Sequence, residues 1–165
     1  MKKLVLASLA CATFAGAPLS ASADTFKTQR CMNMGNALDA PSEGLWGHTI
    51  EADSFRAIAE AGFDTVRIPV KWSGHTGGGP DYVIDEPFFR RVTDVLEQAL
   101  AQDLQVILNV HHFNDLNEDP EGNRAKFLAI WQQLATRYQN LPDSVYFEIV
   151  NEPNDAFKGD LMREI

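Results

Sequence analysis

An apolar run of high strand propensity, SVYFEIVNEPND at residues 144–155, ends in Asn151, Glu152 and Pro153. Turn residues usually close a buried strand, so a carboxylate there is either a surface charge or a group placed for use. Hydrolysis of an acetal between two sugars is one reaction that needs such a group. It takes a proton for the departing oxygen and a nucleophile or activated water on the other side, and enzymes divide these tasks between two carboxyl groups. Burial and a neighbouring negative charge would raise the pKa of the acid and keep it protonated near neutral pH. Pro153 lacks an amide hydrogen and fixes its own φ, so it is expected to stop the strand and set the turn that aims Glu152. The bland alternative is an exposed glutamate in a turn.

Other chemistry-bearing residues stand in similar places. Arg67 lies inside TVRIPV, where a guanidinium is costly unless it meets a carboxylate. Glu148 either points the same way as Glu152 or packs with Arg67. His111 and His112, with Glu118 and Asp119 close in sequence, raise the question of a metal. Adjacent residues of an extended strand point to opposite faces, so the two rings are not expected to converge, and neither a metal nor another cofactor is expected. Trp46 and Trp72 follow the first two strand-like segments, where aromatic faces could stack on sugar rings, whereas Trp131 sits in a helical apolar stripe and is expected in the core. The Gly-rich loop at 74–81 lacks the Lys-Ser/Thr ending of a phosphate cradle.

These residues need a scaffold, and the hydrophobic pattern supplies one. Segments 31–36, 64–70, 104–112 and 144–150 are continuous apolar runs, as expected of parallel strands covered on both faces. Helical patterns lie between them. Residues 49–62 place Ile50, Phe55, Ile58 and Ala59 on one side and end at Gly62; a second helix starts at Asp85 with Pro87 in its first turn; a third spans about 123–138. Repeated strand–helix units spaced by about 33 to 40 residues predict right-handed crossovers and a parallel sheet, hence the α/β class. An open doubly wound sheet loses its main support because no Gly-rich phosphate turn follows the first strand. Asn36, Lys71, Trp72, His111, His112, Asn151 and Glu152 all gather at strand exits, which favours a (β/α)8 barrel, although the chain supplies only about four of the eight units.

With those residues in view, VYFEIVNEPN at 145–154 resembles the signature of glycoside hydrolase family 5, the cellulase family of clan A. MNMGNALDAP, GFDTVRIPVKW and QVILNVHHF resemble the family's first three strands and their exits, in the family's order. The resemblance implies the first half of a TIM barrel and a retaining mechanism. Glu152 would be the acid/base, Asn151 would bind the sugar 2-hydroxyl, Arg67 would hold the nucleophilic carboxylate, and His111, with His112 as a second candidate, would line the sugar site. Asn36 and Trp72 complete the expected substrate contacts. The family's nucleophile stands at the end of strand seven, about 5 Å from the acid/base; it is absent from this chain, which is expected to be inactive alone. An endo-β-1,4-glucanase acting on β-glucan is the leading expectation. The alternatives are a non-catalytic carbohydrate-binding fragment and a member acting on mannan, lichenan or xyloglucan.

The first 23 residues carry Lys2 and Lys3, an apolar core and a small-residue ending, which reads as a secretory signal peptide cleaved after Ala23, with residues 24–165 as the catalytic-domain half. Cys11 in the leader raises lipid attachment, which Ser8 three residues before it disfavours. Cleavage takes two basic residues and no acid from the 165-residue chain, leaving 142 residues and moving the net charge from −9 to −11. Such an acidic chain repels phosphate backbones and anionic lipid, so a neutral polysaccharide is the expected partner, with neither nucleic acid nor membrane. Cys31 is the one cysteine of the cleaved chain, so no intramolecular disulfide is expected there. The full-length enzyme is expected to be a secreted monomer.

Overall fold

A computed structural model describes residues 26–159, so the expected leader and Cys11 lie outside the described residues. Strands and helices alternate: β1 (Cys31–Asn33), α1 (Ala52–Glu60), β2 (Thr65–Val70), a 3-10 turn (Trp72–His75), α2 (Glu86–Leu100), β3 (Gln105–Val110), α3 (Asn114–Glu118), α4 (Pro120–Tyr138) and β4 (Val145–Glu148). The four strands form one parallel sheet in the order β1-β2-β3-β4. No described helix is long and apolar enough to cross a membrane.

Local chemistry accounts for the helix starts. The Asp85 side chain accepts from the Phe88 amide at the head of α2. Asp119 accepts from Gly122 at the head of α4, with Pro120 in the first helical position. Each satisfies an amide that has no partner inside the helix. The expected third helix therefore begins three residues earlier than 123, because the Asp-Pro pair rather than the apolar stripe sets its start. The five-residue α3 was not foreseen, since one turn is too short to display a helical period.

The expectation of strands covered on both faces holds for β2, where only Arg67 is partly exposed, and the register separates an apolar face from a polar one. On the helix side, Val66, Ile68, Val70, Val106, Leu108 and Val110 are fully or almost fully buried. Alternation sends Arg67, Asn109 and Glu148 to the other face. An apolar run thus hides one polar side chain in each of three strands. Phe55 of α1, Val92, Val95 and Leu96 of α2, and Ile130 and Leu134 of α4 close the core over the helix-facing side. Each such side chain contributes about 1.5–3 kcal/mol by burial.

Trp72 belongs to this core, which corrects its assignment as a sugar-stacking platform. It is wholly buried, packs edge-on against Phe88 and Phe89, and donates its Nε1 hydrogen to the Asn109 carbonyl at 3.1 Å. The 3-10 turn after β2 folds the indole back beneath α2, where neither ring face meets solvent. Trp131 is only partly buried and donates to the Ile149 carbonyl at 3.1 Å. Trp46 is 46% exposed and keeps its aromatic surface available.

Candidate functional site

The site is assembled where the strands stop. Met34 still donates to the Arg67 carbonyl at 2.8 Å, but Asn36 turns the chain away with φ 64°. β3 ends at Val110, and the next residues hold His112 at φ 50°. Beyond β4, Asn151 donates to the Val110 carbonyl at 2.9 Å, and Glu152 then takes φ 43°. The strand pairing has thus ended before Pro153, with left-handed Glu152 making the turn. Left-handed backbone in Asn, His and Glu costs on the order of 1 kcal/mol or more each, and such strain persists where the surrounding structure enforces it. Three of the expected site residues carry it, each just past a different strand.

Arg67 organises the inner face. Its Nε donates to Glu148 Oε2 at 2.7 Å and its Nη2 to Glu148 Oε1 at 2.8 Å, a two-pronged ion pair. Nη2 also reaches Asn151 Oδ1 at 2.8 Å, and Nη1 reaches Asn33 Oδ1 at 2.9 Å. The acid partner that a strand arginine requires is therefore Glu148. Because a guanidinium only donates, it fixes the Asn151 amide with oxygen inward and leaves the NH2 group as the end available to a ligand. Asn109 Nδ2 extends the network, lying 3.2 Å from Glu148 Oε1 and 3.3 Å from His111 Nδ1. The Arg67 guanidinium holds the Glu148 carboxyl below its ordinary pKa despite partial burial, with Asn109 adding to the effect. Burial, followed by the charges of His112 and Arg67, pushes the His111 imidazole down and favours its neutral form.

Glu152 stands beside this network and is exposed. The burial expected for it from an apolar strand mouth is not supplied by the described residues, because the left-handed turn carries it off the sheet. Its loop is fastened from below. Buried Asn117 of α3 accepts from the Asn154 amide through Oδ1 at 3.3 Å and from the Ala156 amide through its carbonyl at 3.0 Å, while Phe157 packs on Phe127. A small polar hollow of about 80 Å³ results, lined by His112, Asn114, Asn117, Asn151, Glu152 and Asn154. Glu152 is the one acid in that lining. A wider hollow of about 410 Å³ lies elsewhere, between Trp131, Tyr138, Leu141 and Phe147, and contains none of these groups.

The structure thus brings Arg67, His111, His112, Asn151 and Glu152 around one set of strand exits, with exposed Asn36 at the exit of β1, and removes Trp72. It also overturns the argument that the two histidines diverge. The chain is no longer extended at His112, and the imidazoles of His111 and His112 lie with centroids 4.4 Å apart at 79°. A third group, Asp39, completes a cluster with ligand atoms within 4.8 Å of one another. Sequence reasoning missed Asp39, Asn109 and Asn117. The signal for Asn109 was a lone amide inside an apolar strand, and for Asp39 an acid among the small apolar residues of ALDA, since a polar group buried there needs a partner.

Known proteins resemble this chain in sequence and in fold. Endoglucanase H of Acetivibrio thermocellus is 40% identical over 134 residues, covering 79% of this chain and 15% of that protein. Endoglucanase A of Ruminococcus albus is 39% identical over 132 residues, covering 73% of this chain and 36% of that protein. The crystal structure of endoglucanase Cel5A from Thermotoga maritima superposes with a TM-score of 0.80 at 45% identity, covering 82% of this chain and 44% of that one. That protein is also described in complex with cellobiose and with mannotriose. This chain therefore spans well under half the length of these relatives, and its parallel sheet corresponds to the first four βα units of their (β/α)8 barrel. Residues 21–162 match the profile of cellulase, glycosyl hydrolase family 5, and the chain belongs to that family.

Proposed function

We propose that this chain carries the acid/base half of a retaining endo-β-1,4-glucanase site, with Glu152 as the proton donor and acceptor and β-glucan as the substrate. One observation carries the reading: Glu152 sits directly beside an Asn151 whose amide oxygen is clamped by Arg67 at 2.8 Å. The amide NH2 of Asn151 is then preset to grip a sugar hydroxyl next to the scissile bond, an interaction that strengthens as oxocarbenium character develops. His111 and His112 add imidazole contacts, Trp46 offers an aromatic face, and Asn36 borders the same cleft.

In this reading Arg67 acts through Glu148 and Asn151 as a positioning residue. Retention requires a second carboxylate about 5 Å from Glu152, and the reading places that nucleophile outside this sequence. The chain would be exported after cleavage near Ala23 and would act as a monomer once the remaining barrel units are joined to it. The two ligands described for the Thermotoga relative, cellobiose and mannotriose, support β-glucan as substrate and keep β-mannan as a second class.

The test measures binding and turnover of soluble β-glucan by the chain joined to the C-terminal half of a family member, with Glu152→Gln alongside. Loss of at least about a thousandfold in turnover with sugar affinity retained is expected of an acid/base. Sugar binding with no turnover in the joined protein would support a non-catalytic carbohydrate-binding role, and undiminished turnover in Glu152→Gln would overturn the assignment.

A further inference from the structure

The bend after β3 brings the two histidines of the proposed sugar site against a buried acid, Asp39. Asp39 is 4% exposed in the loop after β1. Its Oδ1 accepts from the Ala37 amide at 2.9 Å, while Oδ2 faces His112 Nε2 at 3.9 Å, too far for a hydrogen bond. His112, held at φ 50°, swings its ring to the side of His111, and Trp46 packs edge-on against it at 5.8 Å. Each of the three residues thus offers one donor atom, and the three atoms lie within 4.8 Å of one another.

That spacing has a geometric consequence. Three atoms no more than 4.8 Å apart share a point within about 2.8 Å of each, and zinc bonds to nitrogen and oxygen are about 2.0–2.2 Å long. Movement of about 0.7 Å per side chain, within the reach of small χ rotations, closes the difference. A buried carboxylate without a short cationic partner gains most from such closure. We propose that Asp39, His111 and His112 bind a divalent transition-metal ion of the zinc class, leaving its remaining coordination positions open beside the hollow that holds Glu152. Two imidazoles and one carboxylate suit zinc, nickel or cobalt, whereas calcium and magnesium require shells built mainly of oxygen. A bound ion takes up both imidazoles, so it opposes sugar binding at the same strand exits. That consequence rests on the proposed hydrolase reading; the binding itself does not.

The experiment titrates Zn²⁺, and separately Mg²⁺, into the untagged chain by calorimetry, and follows Co²⁺ by visible absorption. Cys11 and Cys31 are replaced by Ser throughout, because an exposed thiol such as Cys31 binds zinc unaided. One Zn²⁺ per chain, no heat with Mg²⁺ and cobalt bands of low-symmetry coordination are expected. Asp39→Asn and His112→Asn should each weaken Zn²⁺ binding by about tenfold or more, and His48→Gln, outside the cluster, should not. Asn tolerates the left-handed φ of position 112, so His112→Asn retains the fold by far-UV circular dichroism even if Asp39→Asn does not. Absence of Zn²⁺ binding, or binding unchanged in folded His112→Asn, would overturn the proposal.

Discussion

Arg67 and Glu148 form the pair on which the inner face depends. Their side chains are 21% and 34% exposed, so solvent screens part of their attraction, and about 1–2 kcal/mol of stability is the expected loss in Arg67→Ala. The carboxyl of Glu148 is held below its ordinary value of 4.5 by Arg67. Its stabilising effect is therefore complete above pH 4.5 and fades as the pH falls through the lower value of the folded state. Urea denaturation should accordingly show a smaller difference between wild type and Arg67→Ala at pH 3 than at pH 7. An equal difference at both would mean that the arginine acts by packing and not by charge. The need of Arg67 for an acid was legible in the sequence. Which acid answered it was not, because Glu148 lies 81 residues away and meets Arg67 only through the parallel register.

At the scale of elements, α3 and α4 do more than cover the sheet. Asn117 of α3 ties down the loop that displays Glu152, and α4 holds α3 in place through Phe127, which meets Phe113 and Phe157. The Asp119 carboxylate folds over the Gly122 amide, into the space that a Cβ at position 122 would fill. Asp119→Ala is expected to lower stability by about 1 kcal/mol through the lost cap. A thermal melt of that variant checks this, and an unchanged midpoint would show that the end of α3 caps α4 by backbone alone. Strand and helix order was readable from apolar spacing, and the start of α2 from Asp85. The end of β2 at Val70 was read correctly, whereas the other three strands stop two or three residues earlier than their apolar runs suggest; Asn36 and His112 leave the extended region for reasons that only neighbouring loops impose.

At the scale of the whole molecule, the described helices pack on one face of the sheet, whose outer strands among the described residues are β1 and β4. Among the described residues nothing pairs with the outer edge of β4, where Phe147 is 41% and Ile149 62% exposed beside the Trp131–Tyr138 hollow. Unpaired strand edges flanked by apolar side chains promote association. Light scattering of the chain by itself should show mass rising with concentration, and Ile149→Lys should suppress the rise; a constant monomer mass would contradict this. Composition, apolar period and the strand-exit residues were enough to determine the α/β class, the unit order and the presence of a carboxylate just past the fourth strand, because each is written within one short window of chain. Only the tertiary structure decided that Trp72 is core, that Glu148 holds Arg67, and that Asp39, His111 and His112 converge. Those outcomes depend on register and on left-handed turns, which join residues far apart in sequence through geometry that no single window contains.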